Sequence, residues 1–406
     1  MKAVIQNLLE NVFDRYFCPE TCLIYEFTVD KTGNAWYHLP TVSDIQRQYP
    51  NPCGWGTGME DSVLNGGTLL DALVSAYNMT KDENIGKYCD KILCGLLRCV
   101  KDDGFVARSV SPSDLRSHYI ESSRDQYTHW IYGAVRYFGS DLCTKEQKSQ
   151  IKKAVCSVAE KCIRDIKEEN NYSMLRYDGT VGIVNKMWEK IGTHEWLRLP
   201  MFYLAAYVVS GEKKYYELYL KYRDEALENS IGHNPSTMRC YASLQMQCSL
   251  RFIYDYDDDK AVKEKVVHLM EVNALYGEKT SIANSKEYTK PEHKKELCYT
   301  YFPWDKAKTI NMGTFYGYTY INPGQNEHNP ENPAFYPVRE IAEGAIVAAM
   351  SPAFHVTDSL LRAVDNMAGC IDTENHYSVY APLLLSCAHI LCCEKKKVSD
   401  CMKDRL

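Results

Sequence analysis

Long apolar runs are missing from this chain: no stretch of its 406 residues approaches the roughly 20 that a membrane span needs. Dense positive charge is missing too. The net charge is -6, and Glu394-Lys395-Lys396-Lys397, read as the solvated end of the last helix, is the one notable basic run. Nucleic acid is therefore not expected as a partner, since phosphate binding needs concentrated Lys and Arg. The 17 cysteines include no CxxC pair and no zinc-ligand spacing. They are an odd number scattered through apolar helical patterns, which suits small buried hydrophobes in a reducing compartment. The first residues, Met1 to Leu9, read as an amphipathic helix rather than a signal peptide. The expectation is a cytoplasmic protein with no membrane partner, no metal and no cofactor; a homo-oligomeric state is left open.

Strand-like alternation is also scarce, limited to pieces near 23–28 and 36–38. Helical periodicity dominates. Leu69, Leu70, Leu73, Val74 and Tyr77 form one stripe, and Ile85, Tyr88, Ile92, Leu93, Leu96 and Leu97 form the next. Further helical segments are predicted near 126–138, 145–166, 196–209, 214–228, 236–252, 260–276, 339–349, 357–368 and 380–393. With the first sixteen residues this makes about a dozen helices joined mostly by short breaks. Asp102-Asp103-Gly104 and Tyr177-Asp178-Gly179 mark similar turns after helices, as in a repeated helical hairpin. The segment 278–337 is rich in Pro, Asn, Gly and Tyr and lacks periodicity, so it is either functional or packed across one end. No linker or low-complexity tract divides the chain. The fold expected is all-α, a single domain over 1–406. Its hairpins would close in an (α/α)6 toroid rather than an open solenoid, because the polar loops fall on one side and would surround a mouth.

What the chain has in excess is tyrosine, 31 against 11 Phe and 6 Trp. A ring with a hydroxyl suits walls that both stack on and hydrogen-bond to a polyol. Four polar clusters lie at loop-to-helix junctions. Ser122 to Trp130 carries Asp125 in a predicted first helical turn, where the helix dipole favours a carboxylate. His129 and Trp130 follow four and five residues later, near the same face. That cluster extends back through Arg108, Arg116, His118, Tyr119 and Glu121, whose guanidinium forks suit a substrate carboxylate. Gly54 to Ser62 holds three glycines that can bend closely around something, followed by Glu60 and Asp61. Gly192 to Arg198 places His194 and Glu195 after a Thr193 cap. Trp304, Tyr316 and Tyr318, with the helix start Tyr336 to Glu340 that includes Arg339, could stack on a ligand or pack as a lid. Each cluster also has a plain structural reading: capped helix starts, a glycine turn, surface ion pairs. Paired carboxylates across a sugar pocket would perform glycosidic chemistry, one protonating the leaving oxygen and the other activating water or attacking carbon.

With the toroid pattern, Gly-Met-Glu-Asp at 58–61 and Ser-Arg-Asp-Gln at 123–126, the chain resembles the six-hairpin glycosidases. It is most similar to uronic-acid-cleaving members, the unsaturated glucuronyl hydrolases and the β-glucuronidases of glycoside hydrolase family 154. That resemblance implies an (α/α)6 barrel, no obligatory metal, and hydrolysis that removes a glucuronic-type residue from uronate-containing oligosaccharides. Asp125 would match the acid/base and the Glu60-Asp61 pair the acidic cluster facing it; Glu195 has no counterpart, and the second carboxylate stays open among these three. Arg108, Arg116 or Arg124 would hold the substrate carboxylate, and His129, His194, Trp130 and Trp304 would line the ring pocket. His118, Tyr316 and Arg339 complete the expected substrate contacts. A uronate lyase using Tyr or His as base, a sugar epimerase, and a non-catalytic helical-repeat binding protein are the alternatives.

Overall fold

The computed structural model describes residues 2–28, 33–49, 51–297 and 335–403. In chain order the helices are α1 (Ala3–Asn11), α2 (Val42–Arg47), α3 (Ser62–Thr80), α4 (Glu83–Cys99), α5 (Arg124–Phe138), α6 (Lys145–Asp165) and α7 (Arg198–Ser210). They continue with α8 (Lys213–Ser230), α9 (Cys240–Tyr256), α10 (Lys260–Tyr288), α11 (Phe335–Met350), α12 (Asp358–Ala368) and α13 (Tyr380–Lys403).

Packing sorts these helices into two layers. α3, α5, α7, α9, α11 and α13 each touch the next, and α13 packs back on α3, so six helices close a ring. α4, α6, α8, α10 and α12 lie outside it, and α1 completes the outer layer against α13 and α12. The architecture is an (α/α)6 toroid. Composition explains the sorting: α3 and α7 are buried on nearly every side, whereas α4 buries one stripe, including Ile85, Cys89, Ile92 and Leu96. Capping fixes where outer helices begin. Thr144 forms a reciprocal capping box with Gln147 before α6, and Asp82, Asp259 and Thr357 cap α4, α10 and α12.

Close approach inside the ring depends on glycine. A Cβ on Gly67 of α3 would sit 2.2 Å from the His129 carbonyl oxygen, and one on Gly133 of α5 would sit 2.5 Å from the Gly67 oxygen. Gly277 and Gly344 meet in the same way between α10 and α11. This contact explains one departure from the sequence reading. α10 does not stop near 276 but continues to Tyr288, because Gly277 is a packing point rather than a break. Beyond it Ser281 and Ser285 donate to the carbonyls of Ile341 and Ala363, which holds the added turns in place.

Strands are few among the described residues. β1 (Phe17–Cys18) pairs with β2 (Leu23–Ile24), and β3 (Ser173–Leu175) with β4 (Val181–Lys186), both antiparallel. The piece expected as extended at 36–38 is a 3-10 turn, Ala35–His38. The β3–β4 hairpin turns at Asp178, whose side chain accepts from the backbone and hydroxyl of Thr180. No described helix is long and apolar enough to cross a membrane. Replacing Gly67 with Ala forces α3 away from α5, and should lower the unfolding free energy by about 2–3 kcal/mol in urea titrations; an unchanged midpoint contradicts this account of ring packing.

Candidate active site at the mouth of the ring

The six inner helices begin at the same end, and each adjacent pair is tied there by side chains. Gln126 of α5 donates to Asp61 at the start of α3 over 2.7 Å. Arg198, the first residue of α7, donates to Asp125 of α5 and Gln245 of α9, each over 2.6 Å. The Cys240 amide of α9 donates to Glu340 of α11. Arg339 of α11 lies 4.8 Å over the Tyr380 ring of α13, and Tyr380 donates to Asp61 over 2.7 Å, which closes the circuit. Six positive helix ends therefore converge on one mouth, a setting that favours carboxylates.

Asp125 stands in the first turn of α5 with a third of its side chain open. Burial would raise its carboxyl, but Arg198 and Arg124 outweigh that and hold it below the usual range. Asp61 spends its oxygens on Gln126, Tyr380 and Arg108. Glu60 accepts from the Gly56 amide, and its carbonyl accepts from Arg108 and Gln126. The glycine turn thus bends around its own neighbours: a Cβ on Gly54, at φ +68°, would strike the Tyr119 ring at 2.3 Å. Arg124 pairs with Glu195 at 2.6 Å, and Glu195 also accepts from the Gly192 amide. His194 lies 3.6 Å from Glu195, and burial pushes its imidazole down to about 4. His129 contacts Thr68 at 2.9 Å and is likewise pushed down to about 4 by burial, so both rings are neutral near pH 7.

Three expected residues lie elsewhere. Trp130 is wholly buried and its indole donates to the Leu96 carbonyl, so it packs α5 on α4 instead of lining the mouth. A position one residue past His129 is rotated away from the lumen. Arg116 is 87% exposed and faces Asp114 at 3.8 Å, an ordinary surface pair. His118 is held in a separate aromatic cluster, 5.6 Å from Phe105 and 4.8 Å from Tyr177. Trp304, Tyr316 and Tyr318 lie outside the described residues, as does the Tyr336 side chain.

Other groups at the mouth were not singled out from sequence. Glu343 of α11 is 2% exposed, one turn beyond Arg339, which donates to it over 2.9 Å. Burial nonetheless pushes its carboxyl up to about 7, with Glu340 and Asp61 adding to the rise against Arg339. The i, i+4 spacing from Arg339 was the available signal. Glu26, just after β2, is fully buried, and one of its oxygens accepts from the Asp61 amide. Burial raises its carboxyl well above the ordinary value, and Glu60 and Asp61 push the same way. Among the described residues Glu26 Oε2, Glu343 Oε2, Arg198 Nε and both Asn65 side-chain atoms have no hydrogen-bond partner. No described cluster of His, Cys, Asp and Glu could hold a metal ion.

No family profile matches the sequence, and no curated protein matches it. Among solved structures the chain is similar to a family 76 glycoside hydrolase (mannosidase) from Bacteroides thetaiotaomicron VPI-5482, with 13% identity, 98% of each chain covered and a TM-score of 0.47. It is also similar to a family 76 α-1,6-mannanase from Salegentibacter sp. HEL1_6, at 13% identity over 68% of this chain and 86% of that one, TM-score 0.36. An inactive variant of that mannanase, in complex with α-1,6-mannotriose, matches at 14% identity over 67% and 86%, TM-score 0.37. Likenesses this slight carry no argument about activity.

Glu26 generates a pH prediction. Its folded value lies above its unfolded one, so the stability it contributes is full below the ordinary carboxylate value of 4.5 and is lost as pH rises toward the folded value. Glu26→Gln keeps the neutral form at every pH. Its melting temperature should match the parent near pH 4 and exceed it increasingly as pH rises above the ordinary carboxylate value; equal or lower values at the alkaline end contradict a raised Glu26 carboxyl.

Proposed function

We propose that the protein is a glycoside hydrolase acting at the mouth of the ring. The observation that carries this reading is a pair of carboxyl groups driven in opposite directions in one site. Arg198 and Arg124 keep Asp125 ionised against its burial, while burial pushes Glu343 up to about 7. Such divergence is how two carboxyls take the separate roles of glycosidic cleavage. Glu343 is then the acid that protonates the departing oxygen. Asp125 is the base for water or the nucleophile. Asp61, which spends its oxygens on three donors, holds the starts of α3, α5 and α13 in register.

A neutral sugar fits this charge pattern better than a uronate. Arg108, Arg124, Arg198 and Arg339 each already pair with a carboxylate, at 3.4, 2.6, 2.6 and 2.9 Å respectively. A substrate carboxylate would have to compete with one of these partners. A lyase is disfavoured by the candidate bases: the Tyr380 hydroxyl is raised well above its ordinary value by burial, and His129 and His194 are weak bases at about 4.

The test is release of reducing sugar from α-1,6-mannotriose, an aryl β-glucoside and an aryl β-glucuronide side by side. Cleavage of a neutral substrate but not the glucuronide is expected. Activity should fall as pH rises past about 7, where Glu343 loses its proton. Asp125→Asn and Glu343→Gln should each cut kcat by roughly 10²- to 10⁴-fold with the fold intact, and the second should abolish the alkaline limb. Cleavage of the glucuronide alone overturns the neutral-sugar reading. Full activity in Asp125→Asn, or silence across the panel, overturns the hydrolase reading.

A further inference from the structure

We propose that Cys22 and Cys94 form a thiol–disulfide pair on the outer wall of the ring, a covalent modification site separate from the mouth. Cys22 ends the tight β1–β2 turn with its backbone in the left-handed region, at φ 59°. That turn rests directly on α4. A Cβ on Gly95 would lie 1.9 Å from the Cys22 carbonyl oxygen and 2.6 Å from its carbonyl carbon, so only glycine admits the approach. The residue before Gly95 is Cys94, so the turn brings the Cys22 thiol, which donates to the Pro19 carbonyl at 3.5 Å, beside the Cys94 thiol.

Access and charge separate this pair from the other cysteines of α4. Cys89 and Cys99 are buried, and burial raises both thiols. Cys94 is exposed and lines a groove of about 480 Å³ between α4 and α6, whose walls include Leu97, Arg98 and Gln150. The neighbouring Cys22 thiol and the charge of Arg98, one turn on, outweigh partial burial and lower the Cys94 thiol to about 6. Cys22 is raised in turn, because it is the member that keeps the proton. A thiolate in an open groove, next to a second thiol, is the arrangement for exchange with a small disulfide.

The chemistry balances with oxidised glutathione as the oxidant. The Cys94 thiolate attacks one glutathione sulfur, forming a mixed disulfide and releasing one glutathione thiolate. Cys22 then loses its proton, attacks Cys94 Sγ and displaces the second glutathione. Two protein thiols are oxidised, one small disulfide is reduced to two thiols, and the hairpin becomes stapled to α4.

The folded chain would be incubated with oxidised glutathione, quenched by alkylation and mapped by peptide mass spectrometry. The expected product is a Cys22–Cys94 cross-link with two reduced glutathiones released for each. Cys22→Ser should accumulate the glutathione adduct on Cys94, and Cys94→Ser should give neither product. Gly95→Ala, which lifts the turn off the helix, should slow the cross-link while sparing the adduct. Circular dichroism confirms that each variant is folded. An unreactive Cys94 in folded protein, a linkage of Cys22 to Cys18, or an adduct on Cys94 that Cys22 never resolves overturns the proposal.

Discussion

The guanidinium of Arg198 is the interaction on which the mouth depends. It is 1% exposed, donates to Asp125 on one side and to Gln245 on the other, and so joins three inner helices at one point. A buried cation without partners would cost several kcal/mol, and here both partners are supplied by neighbouring inner helices. The same contact sets the electrostatics. Asp125 stays ionised because Arg198 and Arg124 stand beside it, and His129 and His194 stay neutral because burial and the Arg198 charge act in the same direction.

Around that point the fold separates two tasks. Apolar side chains and facing glycines hold the helix shafts together, as Gly67 and Gly133 do for α3 and α5. The helix starts and the loops that lead into them carry the charge, and they do so in nearly matched pairs, four arginines each against a carboxylate. Glu343 is the group in which this balance is least complete. Its partner Arg339 is bound, yet burial still favours the neutral acid. A protonated acid and an ionised base can thus coexist in one polar mouth, and neither needs a metal ion to set its state.

Much of the architecture could be read from residue patterns because it rests on local period and capping. The stripes of α3 and α4 and the start of α5 beside Asp125 carry their signals within a few residues. What escaped depended on partners distant in sequence. Glu26 reads as part of a short strand, and its burial beside Asp61 arises only when β2 meets the start of α3. Gly277 reads as a helix end because glycine is a poor helix former, and its role appears only against Gly344. Trp130 and His118 have the composition of sugar-binding residues, but rotation about α5 and an aromatic cluster around Phe105 take them elsewhere. Asp125 was legible and Arg198, its partner, was not, because 73 residues separate two side chains that lie 2.6 Å apart.

The most direct test of the central claim is a crystal structure of the Asp125→Asn variant with a bound neutral oligosaccharide such as α-1,6-mannotriose. The account predicts a sugar in the mouth, with the glycosidic oxygen toward Glu343 and the anomeric carbon toward residue 125. A sugar bound only outside the ring, or a mouth in which Glu343 and residue 125 cannot reach the same glycosidic bond, would contradict it.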